Sequence, residues 1–187
     1  MKKRKRLIWQ LYPPYLALIL LSLLAVSWYT SRSLNSFFID RNRSELETHA
    51  RIIEGRLQTP VALSNTDILD ALCKDIGKNT PIRLTLILPS GLVVGDSNET
   101  PRHMENHGNR EEVISALRGE IGTSVRFSNT LRQNMMYLAL PLKQDGRITA
   151  VIRTAIPLTD VENATRSLQL KIGFFGFIIV SSKIDDD

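Results

Sequence analysis

Hydrophobic residues divide the chain into a long apolar run near the N-terminus, a mixed central region and a short apolar run near the C-terminus. From Leu7 to Tyr29, 23 consecutive residues carry no formal charge. About 20 apolar residues suffice to span a bilayer, so we predict a transmembrane helix over residues 7–30. The alternative is a cleaved signal peptide, because the segment Ala25–Ser27 offers small residues at a plausible cleavage spacing.

A helical repeat follows the apolar run. Its apolar residues recur at steps of three, four and seven, and they are Ile39, Leu46, Ala50, Ile53 and Leu57. We predict a long signalling helix over residues 31–60 that continues the membrane helix and ends at Pro60. The same stripe is suited to pairing with a second copy of the chain in a dimer.

The region from 61 to 158 has the element order of a mixed domain. A helix capped by Thr66 is predicted to bury Ile68, Leu69, Leu72 and Ile76. A later helix is predicted to start at Asn109, and Glu112 is predicted to complete its cap. The apolar side of this second helix is formed by Val113, Ile114 and Leu117. Period-two patterns predict strands over 82–88, 92–94, 123–128, 135–140 and 147–156, with a turn at Asp145-Gly146. We therefore predict an α+β, PAS-like domain with a five-stranded antiparallel sheet.

The C-terminal end predicts a helix and part of a second membrane segment. Thr159 and Glu162 form a capping box for an exit helix over residues 159–171. The apolar run from Ile172 to Val180 is too short to cross a bilayer. We interpret residues 172–187 as the truncated start of a second transmembrane helix with an aberrant tail.

Charge is concentrated at the two ends of the chain. Residues 1–6 contain five of the 24 basic residues, whereas the region from Arg32 to Lys171 has 18 basic and 16 acidic residues. A nucleic-acid-binding fold gathers its basic residues on one face, so we expect no nucleic-acid partner. The positive-inside rule makes residues 1–6 a cytoplasmic tip and the central domain extracytoplasmic.

Several short runs in the central region resemble a known family. The polar residues Asp96-Ser97 are followed by a Met-Glu-Asn-His stretch at 104–107 and by Arg110-Glu111. Strands containing Arg-x-Ser-x-Thr-Leu at 126–131 and Met-Tyr-x-Ala-x-Pro at 136–141 come next. This series is similar to the single-Cache sensor region of membrane histidine kinases, in particular the phosphate-regulon sensor kinases.

The resemblance implies a sensing function with no chemistry in the chain itself. It implies an inner-membrane protein that forms a homodimer and signals to a cognate response regulator through a kinase core that this sequence lacks. ATP and Mg²⁺ are expected only for that core, and no cofactor is expected here. A chemoreceptor ligand-binding half and a membrane-anchored binding protein are the alternatives.

Candidate binding residues lie around the predicted loop over 95–109. The resemblance implies a small-ligand pocket between this loop and the sheet, in which Asp96 accepts from an amine and Arg110, Arg126 and Arg153 bind an anion, with His107 nearby. A structural role is the alternative, in which Asp96, Glu105, Asn106 and His107 hydrogen-bond the loop's own backbone and brace it over the sheet. Period two places Arg126 and Arg153 on one face, which we expect to be solvent-exposed, and we expect no metal at His103 and His107. An extracytoplasmic protein is an alternative ligand.

Overall fold

The computed structural model describes residues 3–57, 66–128 and 131–158. The predicted helix end at Pro60, the exit helix over 159–171 and the segment 172–187 lie outside the described residues. The chain divides into two compact units, one reaching from the N-terminus to Phe38 and the other covering Ile39–Asp160.

A single helix, α1, runs from Lys3 to Leu57 and so includes the predicted membrane segment and residues 31–57 of the predicted signalling helix. Within the first unit most of its large apolar side chains that the structure describes are exposed, including Leu18, Leu21 and Leu24. Among the described residues, α1 is the one helix that is long and apolar enough to cross a membrane.

The second unit is built on a five-stranded antiparallel sheet with strand order β2-β1-β5-β4-β3, which confirms the predicted fold class. Its strands are β1 (Arg83–Ile87), β2 (Val93–Asp96), β3 (Gly122–Ser128), β4 (Gln133–Gln144) and β5 (Arg147–Pro157). Asp145 and Gly146 both have positive φ and join β4 to β5, as predicted, because a tight hairpin turn of this type needs two left-handed residues.

One face of the sheet is covered by the C-terminal part of α1 and by α2 (Thr66–Asn79). Leu46, Ala50, Ile53 and Leu57 of α1 are buried there in the main hydrophobic core. Thr154 Oγ1 of β5 also donates a hydrogen bond of 3.2 Å to the carbonyl oxygen of Leu46. The apolar stripe therefore packs inside its own domain, and its predicted pairing with a second copy is wrong.

Helix α2 packs closely on β2 through a narrower face than the sequence predicted. Leu69 and Cys73 are buried, whereas Ile68 is 54% exposed because it lies about 100° around the helix from Leu69. A Cβ atom at Gly95 would lie 2.8 Å from Cys73 Sγ. Burial, followed by the charges of nearby aspartates, raises the pKa of the Cys73 thiol to about 12, so the thiol packs as an apolar group.

The other face of the sheet carries a short 3₁₀ helix (Pro101–His103), the following loop and α3 (Glu111–Leu117). Helix α3 begins one residue later than predicted: its N-cap is Arg110 and not Asn109. Val113 and Ala116 are buried against the sheet, whereas Ile114 is exposed. Gly122 allows this close packing, because a Cβ there would overlap the backbone of Glu112.

Candidate functional site

A cavity of about 480 Å³ lies on the α3 face of the sheet, within the size range of small-molecule sites. We call it the arginine cavity and define it by six lining residues: Arg83, His107, Arg110, Arg126, Tyr137 and Arg153. Four of the five predicted site residues are thus brought together, and Asp96 is the exception.

The sheet register explains why these side chains meet. Arg153 pairs with Ala139, Tyr137 pairs with Ala155, and Arg126 pairs with Met135. Period-two alternation then places Arg126, Tyr137 and Arg153 on one face, as the sequence predicted. The expected solvent exposure of that face is wrong for Arg153, which is 4% exposed because α3 and the loop cover it.

Glu112 is the charged residue that organises the floor of the cavity. Arg126 donates from Nη1 to Oε2 over 2.9 Å and from Nη2 to Oε1 over 3.1 Å, and Arg153 Nε donates to Oε1 over 3.0 Å. Ser124 Oγ adds a bond of 2.7 Å to Oε2. Burial alone would raise the pKa of Glu112, but the bonds from Arg126 and Ser124 and the charge of Arg153 outweigh it, so the pKa is lowered. Its predicted capping role is wrong.

Tyr137 is both a core residue and a wall of the cavity. The guanidinium carbon of Arg126 lies 4.1 Å from the centre of its ring, and that of Arg153 lies 4.2 Å from it. Contacts of this kind stabilise a cation through the negative face of the ring. The side chain is buried, and both arginines contact the same ring.

Asp96 braces the loop and is not available to a ligand amine. Its carboxylate is fully buried and accepts bonds from Arg83 Nε, from Thr85 Oγ1 at 2.7 Å and from the backbone N–H groups of Asn98 and Glu99, both at 2.9 Å. These bonds are of the kind that the structural alternative expects of Asp96, and they occupy the acceptor positions that a ligand amine would need. Asp96 acts on the cavity through Arg83, which it positions.

His107 and Arg110 lie where the loop crosses the cavity. The backbone N–H of His107 donates to Gly91 O over 2.8 Å, while its Nδ1 is buried without a hydrogen-bond partner among the described residues. Arg110 Nε is also buried and has no hydrogen-bond partner among the described residues. Burial, followed by the charges of Arg153 and Arg110, lowers the pKa of His107 to about 4, so the imidazole is neutral at pH 7.

Two cavity residues, Arg83 and Tyr137, and the buried Glu112 that binds the cavity arginines were not identified from the sequence. Arg83 alternates with the buried Ile82 and Leu84, so strand parity gave a signal that it faces the same side as Arg153. The pattern around Tyr137 indicated only a hydrophobic strand position, and the position of Glu112 indicated a helix cap. In the described part of the chain, no three His, Cys, Asp or Glu residues are grouped to hold a metal ion.

Comparison with known proteins identifies the family. The model of the single Cache-like family matches residues 61–156, more than half of the chain, and the chain belongs to this family. Cache domains are extracytoplasmic sensor domains of the kind found in histidine kinases and chemoreceptors. No curated protein sequence matches significantly.

Three solved structures show the same fold. The sensory domain of the Campylobacter jejuni chemoreceptor Tlp3, crystallised with isoleucine, is 20% identical with a TM-score of 0.56 over 81% of this chain and 65% of its own. The sensor domain of the Vibrio cholerae histidine kinase DctB is 16% identical with a TM-score of 0.60 over 78% of this chain and 58% of its own. The Escherichia coli DcuS sensor domain is 13% identical with a TM-score of 0.51 over 65% of this chain and 95% of its own. This chain thus spans about three fifths of the first two.

Proposed function

We propose that this chain is the extracytoplasmic sensing and transmembrane signalling module of a sensor histidine kinase in the bacterial cytoplasmic membrane, and that a small ligand in the arginine cavity is its signal. One observation carries the proposal. Arg153 lies in the cavity, and the next residue, Thr154, donates to α1 on the opposite face of the sheet. Strand β5 therefore connects the cavity directly to the helix that leads to the membrane segment.

Signalling in this proposal is a shift between two packings of the domain. A ligand that binds one packing better increases its population, and the shift is limited by that difference in affinity. Leu46 and Leu57 of α1 lie in the core of the domain, and the same helix contains the apolar segment, so in this proposal a displacement of β5 acts on α1.

The comparisons support a small-molecule signal. The Tlp3 sensory domain was crystallised with isoleucine, and the PctC chemoreceptor domain of Pseudomonas aeruginosa with GABA. A chemoreceptor ligand-binding half has the same fold and is the second candidate. The resemblance over Gly95–Pro141 supports three parts of the proposal: the kinase assignment, the phosphate-regulon subgroup and the response regulator as partner. The homodimer is proposed from the family. It must use a surface other than the buried stripe of α1.

Reporter fusions test the membrane arrangement. Alkaline phosphatase and green fluorescent protein are each inserted at Asn79, in the domain, and fused to Met1 as a control. We expect phosphatase activity without fluorescence at Asn79 and fluorescence without phosphatase activity at Met1. Fluorescence at Asn79 places the domain in the cytosol and overturns the proposal. A mature chain that starts near Trp28 identifies the N-terminal segment as a signal peptide and removes the transmembrane part.

Hydrogen exchange tests the connection through β5. The full chain in nanodiscs is compared with and without 10 mM succinate or isoleucine, and the amides of 39–57 are followed. We expect one of these probes to slow exchange in this stretch of α1. In Thr154→Val we expect the same probe to bind while the change in α1 is lost. An identical change in Thr154→Val shows that β5 does not carry the signal.

A further inference from the structure

The arginines that line the arginine cavity outnumber the buried carboxylates beside them. Four arginines line the cavity, and two fully buried carboxylates are paired with them. Asp96 is paired with Arg83, and Glu112 is shared by Arg126 and Arg153. Arg83 and Arg153, whose side chains are 13% and 5% exposed, balance the two carboxylates. The two further positive charges belong to Arg110 and Arg126, which are 34% and 29% exposed, and partial burial screens them less than full exposure would.

The acidic residues at the mouth of the cavity do not remove this excess. Glu99 and Glu105 line the mouth and are exposed, so solvent and salt screen them. The contact between Arg110 Nη2 and Glu105 Oε2 is 3.9 Å long, and the Glu105 side chain is 88% exposed. A pair with this geometry and exposure leaves Arg110 able to bind another anion.

Two buried donors point to where an anion binds. His107 Nδ1 and Arg110 Nε both lack a hydrogen-bond partner among the described residues, and both residues line the cavity. His107 is only 8% exposed, so more than nine tenths of the residue is buried. A neutral imidazole that carries its proton on Nδ1 is a donor, as is the guanidinium Nε. An anion bound by both residues would supply the missing acceptors, and buried polar atoms are normally satisfied.

The cavity is poorly suited to an ammonium group. The carboxylate of Asp96 already accepts from Arg83, Thr85 and two backbone N–H groups, and that of Glu112 accepts from two arginines and Ser124. Neither can bind a zwitterion's amine without giving up a bond to a buried cation. The acceptors left for an amine are the exposed carboxylates at the mouth.

We propose that the arginine cavity binds a small dianion, either a dicarboxylate or a phosphate monoester, in preference to a monoanion or an amino acid zwitterion. This rests on the proposed function, because it names the class of ligand that the sensor detects. The two charges of the ligand match the two arginines, Arg110 and Arg126, that exceed the two buried carboxylates. His107 and Arg110 bind one end, and the cations held on Tyr137 face the other.

Titration calorimetry on the full chain in nanodiscs of uncharged lipid, at pH 7.5, tests the charge preference. The probes are succinate, glycerol 3-phosphate, succinamate as the matched monoanion of succinate, and isoleucine. We expect at least one dianion to bind at least tenfold more tightly than succinamate and isoleucine. Preference for succinate identifies the dicarboxylate class, and preference for glycerol 3-phosphate identifies the phosphate class.

Two matched variants locate the binding. Arg110→Gln removes one cavity charge without breaking a buried ion pair, so we expect a fold that is unchanged by circular dichroism and an affinity at least tenfold weaker. Arg147→Gln removes the same charge from an exposed position outside the cavity, and we expect the wild-type affinity. Equal losses in both variants show a general charge effect and overturn the proposal.

The remaining outcomes separate this proposal from the proposed function. Equal affinity for succinate and succinamate overturns the dianion preference. If isoleucine binds tightly and neither dianion binds, the dianion preference is also overturned, but the proposal that the domain senses a small molecule is retained. If none of the four probes binds at 10 mM, the dianion preference is overturned, and so is the proposal that the cavity is the ligand site. The reporter fusions still test the membrane arrangement independently.

Discussion

Glu112 on α3 and Arg153 on β5 form a buried ion pair, with 3.0 Å between Oε1 and Nε, although 41 residues separate them in the chain. The side chains are 0% and 5% exposed. Because Arg126 of β3 binds the same carboxylate, this one residue connects α3 to both β3 and β5. The pair therefore fixes the helix that covers the cavity to the strands that form its floor.

Replacing Glu112 by alanine should destabilise the domain strongly. The change leaves Arg126 and Arg153 close together on Tyr137 without their shared anion, and breaking a buried ion pair costs about 3–5 kcal/mol. Urea denaturation in nanodiscs, followed by circular dichroism, measures the free energy of unfolding. Glu111→Ala, one residue earlier and exposed, is the control and should change it by less than about 0.5 kcal/mol. A similar small loss for Glu112→Ala contradicts the central role of this carboxylate.

His107 should make the domain less stable as the pH falls from about 6.5 to 4. Its pKa is lowered to about 4 in the folded chain by burial first and then by Arg153, Arg110 and Arg126, while the ordinary value is 6.5. Between these values the unfolded chain binds more protons, so stability rises with pH and is lost on acidification. The shift corresponds to at most about 3 kcal/mol. Urea denaturation at several pH values measures the slope.

Two variants assign this slope to one histidine. His107→Gln removes the titrating group, so its free energy of unfolding should be nearly independent of pH between about 4.5 and 6.5. His103→Gln, an exposed residue four positions earlier, should keep the wild-type slope. Glu112 acts in a lower range: because its pKa is lowered, its stabilisation is present above 4.5 and is lost as the pH falls through the folded value. A slope that survives in His107→Gln assigns the effect to other groups.

Local pattern predicted the strands, the turn at Asp145-Gly146 and the shared face of Arg126 and Arg153, because these depend on period two and on short-range conformation. It did not predict that Arg153 is buried, because that depends on α3, which comes from a distant part of the chain. Glu112 was misinterpreted for the same reason: three residues after a polar residue, it fits a helix cap, and its real partners are 12 to 41 residues away. The stripe on α1 was correctly identified as apolar, but periodicity alone does not say whether its partner is a sheet or another helix.

Gly122→Ala should push α3 away from the sheet. The added Cβ overlaps the backbone of Glu112, and backbone cannot move aside as a flexible side chain can. Overpacking of this kind costs about 1–3 kcal/mol. Gly55→Ala is a matched control, because nothing lies within 4 Å of its added Cβ and alanine favours the helix by about 0.5–1 kcal/mol. In thermal denaturation the Tm should therefore fall in Gly122→Ala and rise in Gly55→Ala. Equal shifts in both variants contradict the close approach of α3 to β3.

Leu46→Ala should destabilise the domain in a way that does not depend on protein concentration. Leu46 is fully buried in the core of its own chain, and truncating a buried leucine costs about 2–5 kcal/mol. Ile52→Ala, on the exposed side of the same helix, should change the free energy of unfolding by no more than about 0.5 kcal/mol. Urea denaturation at two protein concentrations tenfold apart distinguishes a core role from pairing between chains. If the loss in Leu46→Ala shrinks as the concentration rises, the stripe contacts a second copy, because association then compensates for the weakened packing.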